Sequence, residues 1–169
     1  VSTGRTVVAA RDGVALAEPT QADLDLVNAG SDGPYDPDED PRPGLYLPPV
    51  HRLLVVDAET GEPLGKVNWL PVTYGRTLSC HAWNIGIGLV AAARGRGVGT
   101  LAQRLLVEHL FATTELDRVE ADTDVDNLAE QRALEKAGLR REGVLRGAQL
   151  RGGVRRDMVK YGVLREDFQ

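Results

Sequence analysis

The chain has 169 residues, 42% of them apolar and 27% charged, a balance that fits one globular domain and excludes a disordered chain or a fibrous repeat. Twenty basic against 25 acidic residues leave a net charge of -5, so no overall positive field draws it to nucleic acid or anionic lipid. A single cysteine, Cys80, excludes an internal disulfide and a multi-thiolate metal site. No apolar run reaches the ~20 residues of a membrane span, and the leading VSTGRTVVAARDG lacks the apolar stretch of a signal peptide. A cytoplasmic protein without metal is expected.

In chain order, residues 14–17 read as a short strand, and Thr20 with Asp23 forms the N-cap signal of a helix running through Leu24, Leu26 and Val27. Residues 31–49 hold six of the nine prolines together with Asp32, Asp36, Asp38, Glu39 and Asp40. No regular ladder tolerates that run, so a long surface loop is predicted, its charge suited to a cationic partner or simply to solubility. Strands at 51–56 and 66–70 flank Glu59-Thr60-Gly61-Glu62-Pro63 as a hairpin.

A third strand is predicted from Leu78 to about Val90, with His81, Trp83, Ile85 and Ile87 alternating against Cys80, Ala82, Asn84 and Gly86. Gly86 and Gly88 strip its far end of side chains, which marks either a bulge or a place where a ligand comes close. Val98, Leu101, Ala102, Leu105, Leu106 and Leu110 recur at helical steps. Residues 118–122 read as a strand, Asn127 caps a helix that stops at Gly138, and residues 139–164 read as two strands around Arg151-Gly152-Gly153. The result is one mixed α/β domain over residues 1–169.

Arg94-Gly95-Arg96-Gly97-Val98-Gly99-Thr100 lies between a strand end and a helix start, where unpaired amides and the helix dipole favour an anion. Glycines let the backbone reach phosphate oxygens, and the two arginines add charged donors. The turn lacks the Gly-Lys-Ser/Thr of a Walker loop, and its third glycine is not at the spacing of a dinucleotide fingerprint. A tight turn without a ligand is the plainer alternative.

The Arg94-x-x-Gly97-x-Gly99 turn resembles the (Q/R)-x-x-G-x-(G/A) pyrophosphate loop of the GCN5-related N-acetyltransferase (GNAT) superfamily. Residues 127–139, NLAEQRALEKAGL, resemble its N-x-x-(S/A)…E-K-x-G-F segment. The closing GVLRGAQLRGGVRRDMVKYGVLREDF is similar to the C-terminal strand pair of its RimJ/RimL-like branch. The resemblance implies a mostly antiparallel sheet flanked by helices, with a central strand splayed to form an acyl-coenzyme A cleft. It implies an acetyl-coenzyme A-dependent N-acetyltransferase acting on a primary amine, either a small molecule or a protein N-terminus, as monomer or homodimer. Residues 14–72 would form the substrate side and residues 78–168 the cofactor core. Pantetheine would bond to backbone around Leu89 and Val90, Arg94 to Thr100 (with Gly95, Arg96, Gly97, Val98 and Gly99) would hold the pyrophosphate, and Asn127 would touch the pantetheine arm.

Three departures bear on catalysis. The position of the family's tyrosine acid corresponds to Leu134, that of the RimL-type serine to Glu130, and that of the strand glutamate often assigned as base to Asn84, which cannot take a proton. Glu130 is either a proton-handling group or an exposed helix carboxylate. His81 has the reference pKa best suited to a base, with Asp124 and Asp126 as further candidates, while Cys80 as an acyl carrier lacks a histidine on its own face. Trp69 and Trp83 line the acceptor cleft or belong to the core, and the arginines of the tail read as a solvated face. These departures leave a non-catalytic acyl-coenzyme A sensor as the alternative function, with a mononucleotide-binding domain behind it.

Overall fold

A computed structural model describes residues 4–168; Val1 and the first residues of the segment read above for a leader lie outside them. The elements are β1 (Val7–Arg11), β2 (Val14–Ala17), α1 (Gln21–Ala29), β3 (His51–Asp57), β4 (Pro63–Thr73), β5 (His81–Leu89), α2 (Val98–Thr113), β6 (Arg118–Asp124), α3 (Leu128–Ala137), β7 (Arg140–Arg151) and β8 (Val154–Leu164). Residues 31–49 carry no helix or strand, as their prolines dictate. Leu78–Cys80 is a short 3-10 turn and not the start of β5.

One eight-stranded sheet runs in the order β1-β2-β3-β4-β5-β6-β8-β7. Every neighbouring pair is antiparallel except β5 and β6. The helices α2 and α3 cover one face, where Val67, Ile85, Leu105, Leu106, Val119, Leu134 and Tyr161 form the main core. The helix α1 lies on the other face, over Ala15, Ala17, Leu54 and Val56 through Val27. Alternation along the strands therefore sorts the residues. Lys66 and Asn68 of β4, Asn84, Gly86 and Gly88 of β5, and Glu120 and Asp122 of β6 share the α1 face.

The strand β1 was not expected. Its VVAAR run lacks alternation, but the Asp12-Gly13 dipeptide after it is a hairpin signal: both residues have positive φ, 47° and 83°, which a two-residue turn between right-twisted strands requires. The predicted caps are present. Thr20 and Asp23 form a reciprocal capping box on α1, Asn127 Oδ1 accepts from the Glu130 amide at α3, and Gly138 ends α3 in the left-handed conformation.

Candidate active site

The parallel joint between β5 and β6 has three residue pairs, Trp83–Val119, Asn84–Glu120 and Ile85–Ala121. Beyond it, β5 stays on β4 through Gly86 to Leu89, while Asp122 to Asp124 of β6 stay on β8. The central strands part, as the resemblance implied. Gly65 helps draw β5 towards β4, because a Cβ there would lie 2.3 Å from the Gly88 carbonyl oxygen.

The N-terminus of α2 stands at the mouth of this groove. Its cap residue Gly97 is left-handed, with φ 79°, and offers no side-chain cap. The first helical amide bond runs from Leu101 to the Gly97 carbonyl, so the amides before it are available to an anion. Gly95 also has positive φ, 71°, and nothing lies within 4 Å of where a Cβ would sit at either glycine. These two positions need glycine for backbone reasons and leave open space above the turn. Gly99 is different: a Cβ there would make ordinary contact with Leu89 and Ile87, at 3.6 and 3.9 Å.

The start of α3 closes the same side. Glu130, partly buried, accepts a hydrogen bond from Gln103, and Gln103, 1% exposed, also donates to the Gly99 carbonyl at 3.2 Å. Burial pushes the Glu130 carboxyl up to about 7, with the Gln103 bond pulling the other way. Because its folded value lies above the unfolded one, stability falls as pH rises from about 4.5 through about 7 and is flat above. Replacing Glu130 with Gln is therefore expected to remove that slope and to stabilise the fold by about 1–3 kcal/mol at pH 8, measured by urea unfolding at pH 5 and pH 8.

On the α1 face, the loop 31–49 spans the groove. Asp32 accepts from Arg94 at 2.7 Å, and Arg94 also donates to the Leu89 carbonyl at 3.0 Å. Tyr35 lies under the Arg151 guanidinium at 5.1 Å, and Asp38 accepts from the amides of Gly152 and Gly153 at the β7–β8 turn. The acidic residues are thus specific tethers. Beneath the loop lies a cavity of about 490 Å³ lined in part by Asn28, Asp32, Asp36, Lys66, Asn68 and Gly88.

The predicted residues divide accordingly. Leu89, Arg94, Gly99 and Glu130 are linked, Arg94 donating to the Leu89 carbonyl and Gln103 joining Gly99 to Glu130, and Asn127 caps the helix whose first turn holds Glu130. The Val90 amide is committed to the sheet, donating to the Leu64 carbonyl at 3.0 Å. Asn84 lies at the throat, donating to Asp122 at 2.8 Å. His81 opens β5, three residues or ~10 Å before Asn84 at ~3.3 Å per residue, at the joined end of the strand and not beside its parted stretch. Asp124 is wholly buried and bound by Arg151 and Arg156; burial alone would raise its pKa, but the bonds from Arg156, the Asp126 amide and Arg151 hold it well below the carboxylate range. It is a structural anchor, and those two arginines are not a solvated face. Trp69 and Trp83 pack on the α2 face, where Trp83 Nε1 donates to Thr114 at 3.0 Å, so neither walls the cavity.

Sequence reasoning missed Lys66, Gln103 and the cluster in which buried Glu120 accepts from Tyr74, Arg118 and Lys160. Lys66 alone had a signal: it stands across from the bare end of β5.

The sheet is thus split at its one parallel joint, and an uncapped glycine-rich helix start stands at the opening. Residues 41–140 match the family model "Acetyltransferase (GNAT) domain", and the chain belongs to that family. A segment of 83 residues is 39% identical to "Probable N-acetyltransferase YjcK" of Bacillus subtilis (strain 168), spanning 49% of this chain and 46% of that protein. The chain thus matches about half the length of this relative. Its fold is shared with Mycobacterium smegmatis RimJ in complex with CoA-disulfide, at 19% identity and TM-score 0.74 over 96% of this chain and 86% of that one. It is shared equally with spermidine N-acetyltransferase from Vibrio cholerae in complex with CoA and spermine, at 16% identity and TM-score 0.74 over 94% and 99%.

Proposed function

We propose that the protein is a cytoplasmic acetyl-coenzyme A-dependent N-acetyltransferase of the RimJ/RimL-like branch that acetylates a primary amine. The observation that carries this reading is the parting of β5 from β6 beyond Ile85 and Ala121, with the bare start of α2 at its mouth. Residues 78–168 hold the donor and residues 14–72 supply most of the acceptor side. The glycine-rich turn suits a diphosphate, since the amides that open α2 precede its first helical bond from Leu101 and nothing lies within 4 Å of where a Cβ would sit at Gly95 and Gly97. Asn127 and Leu89 flank the path of the pantetheine arm.

Bound there, acetyl-coenzyme A supplies an activated acyl group. The chain's own residues do the rest. An acceptor ammonium with a reference pKa near 10.4 must lose a proton, which costs about 4–5 kcal/mol at pH 7. Asp36 in the cavity provides a carboxylate to receive it, with Asp32 beside it once Arg94 turns to phosphate. Glu130, with its carboxyl at about 7, is matched to proton transfer at neutral pH on the donor side of the groove. The amine then attacks the thioester directly, in a complex holding both substrates, forming a C–N bond as the C–S bond breaks, and coenzyme A leaves as the thiol.

Thermal unfolding with acetyl-coenzyme A, coenzyme A and ATP tests the donor site, and thiol release over a panel of amines and N-terminal peptides tests the acceptor. Stabilisation by both coenzyme A forms with turnover of at least one amine is the expected result. Stabilisation without any turnover would favour the sensor, and a shift with ATP alone a mononucleotide site.

A further inference from the structure

The chain holds 20 basic residues, of which only Lys66, Lys136 and Lys160 are lysines. Their environments differ sharply. Lys160 is bound by Glu120 at 2.6 Å and by Asp122, and Lys136 is exposed in the last turn of α3. Lys66 lines the cavity under the acidic loop. It sits directly opposite Gly88 in the β4–β5 register, and its side chain crosses β5 over that glycine, with Cε 4.0 Å from where a Cβ would be. Its Nζ donates to Asn28 Oδ1.

The direction of that crossing matters. The neighbouring strand is about 4.8 Å away, so a lysine leaning over Gly88 from β4 has the length, once its nitrogen leaves Asn28, to reach the edge of β5 that β6 has left. Gly88 has no side chain to block it. Burial, and then Arg52, push the Lys66 ammonium below the ordinary lysine range, against the pull of Asp36, which raises the share of neutral amine at neutral pH.

We infer that Lys66 is an internal acetyl acceptor, modified by the donor bound in the adjoining groove when no amine substrate occupies the cavity. The inference rests on the acetyl-coenzyme A reading above. In the step, the neutral Lys66 nitrogen attacks the thioester carbonyl carbon, a C–N bond forms and the C–S bond breaks. Coenzyme A leaves as the thiolate and takes up the proton shed by the nitrogen, giving one acetyl-lysine and one free thiol. The product has lost the Lys66 charge, and its acyl group lies in the space an acceptor would need.

The test is to incubate the full chain with acetyl-coenzyme A in amine-free buffer and map acetylation by peptide mass spectrometry, with thermal unfolding in coenzyme A run in parallel. Holding nucleophile and thioester in one cavity makes the step effectively unimolecular, so Lys66 is expected to gain its acetyl group about tenfold or more faster than exposed Lys136. Excess coenzyme A should suppress the reaction at Lys66 and leave Lys136 unchanged. The Lys66→Arg variant should bind coenzyme A and gain no acetyl group at residue 66, with its Lys136 rate unaltered. Equal rates at Lys66 and Lys136, or no acetyl group on Lys66 while coenzyme A stabilises the fold, would overturn the inference and leave the donor site intact. Absence of any stabilisation by coenzyme A would overturn the donor site itself, and the inference with it.

Discussion

Replacing Gly97 with Glu is expected to abolish stabilisation by coenzyme A. A ligand present at about 100 times its dissociation constant adds roughly 2.7 kcal/mol to the folded state, and that increment should vanish in the variant. Two effects act together. Gly97 holds φ 79° as the cap of α2, and a side chain there carries strain of about 1–3 kcal/mol. The new carboxylate also enters the space above the turn, where the amides and the helix dipole favour a phosphate. Replacing Gly99 with Ala is the matched control. Its Cβ meets only ordinary contacts from Leu89 and Ile87, so coenzyme A binding should persist. Titrations followed by thermal unfolding check both, and an undiminished shift in the Gly97 variant would place the phosphates elsewhere.

Replacing Asp124 with Ala is expected to lower stability by about 3–5 kcal/mol, because removing one partner of a buried ion pair strands the charges it held. Asp124 is wholly buried, between Arg151 of β7 and Arg156 of β8, and it also accepts from the Asp126 amide. One carboxylate therefore fixes the end of β6 and both strands of the closing hairpin. The acidic loop depends on it indirectly, since Tyr35 and Asp38 dock on the same hairpin. Urea unfolding measures the loss, and faster proteolysis between residues 31 and 49 is the expected companion result. The pH dependence has a definite sign. The folded pKa lies below the unfolded one, so the contribution is present above about pH 4 and is lost as pH falls further.

How legible these features are in the sequence depends on how local the physics is. The caps at Thr20, Asn127 and Gly138, the glycine-rich turn and the start of α2 each follow from a few adjacent residues, and the structure shows all of them. The first hairpin is legible in Asp12-Gly13, although its VVAAR strand does not alternate. The tethers of the acidic loop join residues 62 and 114 positions apart, and no local pattern announces them. Glu130 could be read as a helix carboxylate or a working one because its environment, burial first and then the bond from Gln103 on another helix, is set by distant parts of the chain. His81 looked suitable from its chemistry alone, and only its place along β5 shows which end of the strand it serves.

The three-rung joint has a mechanical meaning beyond making room for a ligand. Strands β1 to β5 form one ribbon and β6, β8 and β7 another, and the ladder between them is three residue pairs long. Beside it, the packing of α2 on α3, the strap of the acidic loop and the bonds of Tyr74 to Glu120 and Asn84 to Asp122 span the seam. A molecule seated in the opening touches both ribbons and acts as a keystone, so its binding should slow amide exchange along β6 and β8 as well as beside the groove. The shortest ladder of the sheet is then the place where occupancy is felt most widely.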